Sequence, residues 1–220
     1  MLVGDRMTKN PVTVTVDTSI EEALQLMRER RVRRFPVLNK QDNLVGIVSE
    51  KDLLYASPSP ATSLSVYEIP YLLSKIKMRD LMTQDVITVT TDTPLEEAAR
   101  IMADNKIGGL PVVTGKKLVG IITETDMFKI FLEMLGARDA GVRLSMLIPE
   151  QKGTLAQITS RIAEMGGNIL ALGTMMSDDP HKPELMIKVA DVPEEQLVSA
   201  MEQLELDIDM LDTRYCRRRR

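Results

Sequence analysis

The apolar and polar positions of this chain change period several times, and the changes repeat. Thr13-Val-Thr-Val16 alternates and predicts a half-buried strand. Ile20, Ala23, Leu24 and Met27 fall on one face of a helix. Phe35-Pro-Val-Leu38 and Leu44-Val-Gly-Ile-Val48 are short continuous apolar runs, as in buried strands, and a helix is predicted after the second. The same order then returns. Met7-Thr-Lys-Asn10 matches Met82-Thr-Gln-Asp85, Ile20–Met27 matches Leu95–Met102, and Phe35–Leu38 matches Leu110–Val113. Leu44-Val-Gly-Ile-Val-Ser-Glu-Lys-Asp52 matches Leu118-Val-Gly-Ile-Ile-Thr-Glu-Thr-Asp126. The second copy lacks one residue between Val113 and Leu118, in a turn, where deletions are best tolerated.

Each copy therefore reads strand, helix, strand, strand, helix. Thr18 with Glu21, and Thr93 with Glu96, have the spacing of a capping box, and Pro94 suits a first helical position. A unit of roughly fifty residues is marginal alone, so the two copies are expected to share a core. Between them, Ser57-Pro-Ser-Pro60 signals a linker, yet Val66, Ile69, Tyr71, Leu72, Leu73 and Ile76 are too apolar for a free one. This stretch predicts a short helix packed on a neighbour or a partner chain.

After Val142 the pattern changes. Val142–Ile148 alternates as a strand, Thr154 and Gln157 have capping-box spacing, and Leu155, Ile158, Ile162 and Met165 share a helical face ended by Gly166-Gly167. Ile169–Met176 and Glu184–Val189 flank a turn containing His181, Pro193 starts a helix through Leu204, and Ile208–Leu211 is a last strand. Strand, helix, strand, strand, helix, strand is a ferredoxin-like order. The run Arg217–Arg220 reads as an unstructured terminus.

Composition narrows the function classes. Of 220 residues, 3% are aromatic and none is Trp, which largely rules out stacking platforms for single-stranded nucleic acid. A net charge of -4 argues against DNA binding. No apolar run approaches the ~20 residues of a membrane span, and the start lacks the order of a signal peptide. The single Cys216 permits no disulfide within the chain, which fits a reducing compartment. With one His, no nucleophile–base pair and no metal-ligand cluster, an enzyme is not expected and no cofactor or metal is implied. The expected protein is cytoplasmic, with no nucleic-acid or membrane partner.

The candidate chemistry lies at the two strand–helix junctions. Ser49 and Asp52, and Thr123 and Asp126, place a hydroxyl and a carboxylate over the start of a helix. That pairing suits a phosphate and a vicinal diol. It also suits an ordinary N-cap.

The two copies resemble CBS domains over roughly residues 1 to 135, on Met-Thr, Leu/Phe-Pro-Val and Val-Gly-Ile-x-Ser/Thr-x-x-Asp. Residues 142 to 215 resemble an ACT domain, on Lys152-Gly-Thr-Leu-Ala-Gln-Ile158 and Gly166-Gly-Asn-Ile169, with Lys152 where that family usually has Pro. The order resembles AcuB-type acetoin-utilisation regulators. The resemblance implies an α+β fold, with CBS repeats at 1–56 and 78–135, a linker at 57–77, an ACT domain at 140–215 and a basic tail at 216–220. It implies an adenosine nucleotide (AMP, ADP or ATP) as regulatory ligand in two clefts. Ser49, Asp52 and Arg34 would meet Ile87 and the Gly109 backbone in one cleft, with Gly108 beside it. Thr123 and Asp126 would meet Val12 and the Arg33 backbone in the other. An amino-acid effector would contact Gly153, Asn168 and Ile169. A homodimer acting on a partner protein is the implied assembly.

Overall fold

A computed structural model describes residues 1–57 and 68–217 of the chain. The described elements begin with Val3–Arg6 (α1) and Thr8–Lys9 (β1). The first repeat follows as Val14–Thr15 (β2), Ile20–Arg30 (α2), Arg34–Leu38 (β3), Leu44–Ser49 (β4) and Glu50–Ala56 (α3). Glu68–Lys75 (α4) and Met78–Leu81 (α5) lead into the second repeat, Leu95–Asn105 (α6), Gly109–Thr114 (β5), Lys117–Thr123 (β6) and Glu124–Met134 (α7). The second repeat's opening strand is reduced to a single parallel bridge between Val89 and Val112.

The leading segments are exchanged between the repeats, which the repeat boundaries read from sequence did not foresee. β1 pairs with β6, Thr8 opposite Ile121 and Lys9 opposite Gly120, so the chain's first strand joins the second repeat's sheet. Reciprocally, Thr83 bridges Ile47 on β4, and Met78 is fully buried in the first repeat's core with Ile20, Met27, Phe35, Val37, Val48 and Leu53. The glycine of each Val-Gly-Ile makes this possible. A Cβ on Gly46 would collide with the Met82 side chain, and one on Gly120 with Met7. Burying a Met side chain stabilises by about 1.5–3 kcal/mol, enough to hold a short segment on the neighbouring sheet.

The helix starts differ from expectation. α2 is capped by Ser19, whose hydroxyl accepts from the Glu22 N–H (3.3 Å) while the Glu22 carboxylate accepts from the Ser19 N–H (2.8 Å). α6 begins after Pro94 with no side-chain cap. Thr18 and Thr93 instead accept from the N–H of Thr15 and Thr90, each at 3.1 Å, closing the turn after the strand. Of the linker, 58–67 (Val66 included) lies outside the described residues. Leu73 and Ile76 pack on the first repeat's own core.

A second compact unit begins at Phe128, within α7. It contains Gly141–Leu147 (β7), Thr154–Glu164 (α8), Asn168–Met175 (β8), Glu184–Ala190 (β9), Glu194–Glu202 (α9) and Asp209–Cys216 (β10). The sheet order is β10-β7-β9-β8, antiparallel at every pairing, as the ferredoxin-like reading requires. Val142, Leu144 and Met146 alternate with Arg143 and Ser145, so one face packs on Ile158 and Ile162 of α8 and Leu197 and Met201 of α9. Leu155 does not share that buried face and is 39% exposed. Thr154 does not cap α8 either. It is buried at the first helical position, its hydroxyl donates to the Pro149 carbonyl (3.2 Å), and Gly153 takes the cap at φ 92°. His181 is exposed in its turn, and Arg218–Arg220 lie outside the described residues.

Candidate functional site

The antiparallel register of β3 and β4 sets Arg34 directly opposite Ser49, just as β5 and β6 set Gly109 opposite Thr123. The backbone at each junction is tied the same way: Glu50 N–H donates to the Arg33 carbonyl (2.8 Å), and Glu124 N–H to the Gly108 carbonyl (3.1 Å). The two junctions are equivalent in backbone and differ in the side chain that leaves it.

A cleft of about 520 Å³ opens beside the first junction. Its lining includes Arg33, Arg34, Ser49, Asp52, Ile87, Gly108 and Gly109. Seven candidates taken from the sequence are thus brought together. Thr123, Asp126 and Val12 do not line it. Val12 instead packs, partly buried, against the first repeat's core, whereas Ile87 leaves 40% of its surface exposed. Gly153 and Asn168 stand at opposite ends of α8, whose eleven residues span about 16 Å at 1.5 Å per residue. Within one chain they do not form a site.

Arg34 reaches across to the second repeat. An added Cβ on Gly109 would meet its Nη1 atom, and one on Gly108 would meet both its Nη2 atom and the Glu124 carboxylate, each nearer than 3.0 Å. Two consecutive residues without side chains therefore make room for one guanidinium. Nη1 is buried and has no hydrogen-bond partner. Burial lowers the affinity of the guanidinium for its proton, the Glu124 charge opposes that shift, and Arg33 adds to it. A buried donor left unpaired costs free energy that an anionic acceptor would recover.

Asp52 and Ser49 form a closed capping box. The Asp52 Oδ2 atom accepts from the Ser49 N–H (2.8 Å) and hydroxyl (2.7 Å). Asp126 receives the matching pair from Thr123, at 3.0 and 2.7 Å. The capping reading is therefore correct in geometry for Ser49–Asp52, and Thr123–Asp126 shows the carboxylate half of it. It uses one carboxylate oxygen of Asp52 and leaves the other edge for a ligand.

Sequence reasoning missed Thr83 and Asp85, which line the cleft because the exchanged segment crosses β4, as well as Lys106. Glu124 was missed too, although aligning Glu124 with Glu50 would have set it beside position 109. Four cations (Arg33, Arg34, Lys51, Lys106) face three acids (Glu50, Asp52, Asp85) in the lining. With charge so nearly balanced, Arg34 stands out among these cations by its buried nitrogen without a hydrogen-bond partner.

The sequence matches the CBS domain family over residues 3–59 and 78–133. The chain belongs to the CBS domain family. A CBS domain-containing protein of Dictyostelium discoideum is 31% identical over 136 residues, covering 61% of this chain and 94% of that protein. The crystal structure of a Vibrio cholerae protein described as an acetoin utilization protein (AcuB) superposes with a TM-score of 0.52 at 34% identity, covering 62% of this chain and 93% of its own. The CBS domain pair of protein MJ0100, crystallised with 5'-methylthioadenosine and S-adenosyl-L-methionine, gives 0.51 at 28% identity, covering 63% and 98%. The ferredoxin-like unit from Gly141 onward lies outside the family match. Among the described residues, no group of acids, His and Cys is placed to hold a metal, and no helix is long and apolar enough to cross a membrane.

Proposed function

We propose that the chain is a non-catalytic regulatory sensor that binds an adenosine nucleotide in the Arg34 cleft. What carries this reading is the meeting of three unlike groups in one cavity: a buried guanidinium nitrogen without a partner, the open edge of a carboxylate, and an exposed Ile87. Arg34 would take phosphate, Asp52 the ribose hydroxyls and Ile87 the base. The MJ0100 pair, crystallised with two adenosine-derived ligands, supports the adenosine part. A second, weaker cleft would use Thr123, Asp126, Val12 and the Arg33 backbone.

The C-terminal unit is read as an ACT-like output domain. α7 carries Asp126 near its start and continues into that unit, which gives a ligand a covalent route to it. A cytoplasmic homodimer regulating a partner protein fits this scheme, and so does a role in acetoin use, given the likeness to the Vibrio structure. An amino-acid effector would need Gly153 of one copy and Asn168 and Ile169 of another, since α8 separates them in one chain.

The test is calorimetry and thermal denaturation with AMP. At a hundredfold excess over Kd, AMP should stabilise the protein by about 2.7 kcal/mol. Asp52→Ala should remove one binding event and Asp126→Ala the other. Unchanged AMP titrations in both variants would sink the assignment.

A further inference from the structure

The sheet of the C-terminal unit has a second face, buried at its centre, where Met186 and Lys188 are each 3% exposed, and open toward its edge strands. Arg143 on β7 and Met186 and Lys188 on β9 alternate with core residues and point away from α8 and α9. The end of α7 and the turn after it cover part of this face. A Cβ on Gly136 would touch Leu170 and Ala171 at 3.7 and 3.6 Å, and the Lys188 Nζ donates to the Gly136 carbonyl at 2.9 Å. Floor and roof line an open-sided cavity of about 910 Å³, at the upper end of the roughly 300–1,000 Å³ typical of small-molecule sites.

Its walls are apolar, with Phe131, Met134, Leu135, Leu172, Met175 and Met186. Its charged groups are all of one sign: Arg143, Lys188, Arg214 and Arg217, with no acid in the lining. That is a local concentration of cations in a chain of net charge -4. Arg143 and Arg214 already bond Asp212, at 2.9 and 2.7 Å. Lys188 is different. It is 3% exposed, and among the described residues it has one carbonyl acceptor and no carboxylate. An ammonium has three donors, and a buried charge requires a counter-ion or a full set of acceptors. The cavity beside Lys188 is where that counter-ion would sit.

We infer that this cavity binds an amphiphilic organic anion, its carboxylate paired with Lys188 and its apolar tail along the methionine, leucine and phenylalanine wall. The site is separate from the Arg34 cleft and does not depend on the nucleotide reading. It would make the C-terminal unit a second sensor, responsive to carbon-chain acids.

The experiment uses octanoate on the full chain, with octanol as the uncharged comparator. Octanoate should bind saturably and raise Tm, and octanol should do so at least tenfold more weakly. Lys188→Met should weaken octanoate at least tenfold. Gly173→Leu should weaken octanoate at least tenfold while the protein stays folded, because Gly173 lines the cavity, a Cβ there meets nothing within 4 Å and a larger side chain takes up part of that space. Asp52→Ala should leave octanoate binding unchanged. Equal binding of octanol, absence of octanoate binding to the unsubstituted protein, or unaltered binding in Gly173→Leu overturns the proposal. If Lys188→Met lowers Tm with no change in octanoate affinity, Lys188 only caps the turn after α7 and the anion assignment fails. If Lys188→Met does not fold, Gly173→Leu decides alone.

Discussion

Arg34 and Gly109 stand at the same place in two hairpins that otherwise agree in register, in the junction hydrogen bond and in the capping carboxylate. One repeat contributes a guanidinium. The other contributes the empty space that receives it. A repeat duplicated with both copies keeping Arg would set two cations against each other. With both keeping Gly, neither cleft would hold a fixed positive charge. The difference teaches that one side-chain exchange between two equivalent junctions places a guanidinium at one of them only.

The sharpest way to break this comparison is to remove the guanidinium. A charge-assisted hydrogen bond contributes about 1.5–3 kcal/mol, so Arg34→Ala should weaken AMP at the Ser49–Asp52 cleft roughly ten- to a hundredfold. Adenosine should lose little, and the Thr123–Asp126 cleft should be unaffected. Gly109→Ala approaches the same loss from the other side, since its Cβ would press on the Arg34 side chain. Calorimetry in an Asp126→Ala background reads the first cleft alone. A preference for AMP over adenosine that survives Arg34→Ala would show that Arg33 or another nearby cation holds the phosphate.

The internal repeat made most of this legible. Matching Leu44–Asp52 with Leu118–Asp126 gave the element order and the paired motifs, and the alternation after Val142 gave the ferredoxin-like order that the sheet adopts. Three things were hidden. The exchange of the leading segments is a choice between two equivalent partners, since Met7 fits against Gly46 or Gly120 equally well as far as pattern goes. The helix starts were misread because Thr18-Ser19 offers two hydroxyls in succession and the turn takes the first. The partly covered second face of the C-terminal sheet was also invisible, because α7 outruns α3, its counterpart in the first repeat, and strand periodicity cannot show what lies over a face.

A smaller contrast separates the first helices of the repeats, Ser19 capping α2 and Pro94 preceding α6 without a side-chain cap. Ser19→Ala should cost about 1 kcal/mol in urea denaturation. Its dependence on pH identifies the mechanism. The Glu22 carboxyl is held below its ordinary value, chiefly by the Ser19 N–H and then its hydroxyl, against slight desolvation and with help from Lys77. A carboxyl depressed in the folded state adds stability that is complete above its unfolded value, about 4.3, and is lost as pH falls through the lower folded value. The gap between the unsubstituted protein and Ser19→Ala should therefore be constant near neutrality and narrow below about pH 4. A gap independent of pH down to 3 would assign the cap to the hydroxyl alone.

The smallest effect is the most specific to the asymmetry between the clefts. Glu124 starts α7 in the second repeat, yet its charge acts on Arg34 of the first. Before a ligand binds, this carboxylate would supply part of the negative potential that a phosphate brings. Glu124 is exposed and is not hydrogen-bonded to Arg34, whose Nη1 has no partner, so their attraction is that of a surface pair, roughly 0.2–1 kcal/mol. Removing the charge while keeping the shape should strengthen AMP binding, because phosphate then no longer competes with a resident acid. Glu124→Gln should tighten AMP by up to about fivefold at low ionic strength and leave adenosine unchanged. The gain should fade in salt, since the screening length falls from about 10 Å at 0.1 M to about 3 Å at 1 M. It should also vanish in an Arg34→Ala background, because the two substitutions act on one interaction and their effects cannot add. If Glu124→Gln instead weakens AMP, or tightens it equally without Arg34, then Glu124 acts on the ligand directly and the guanidinium is not its target.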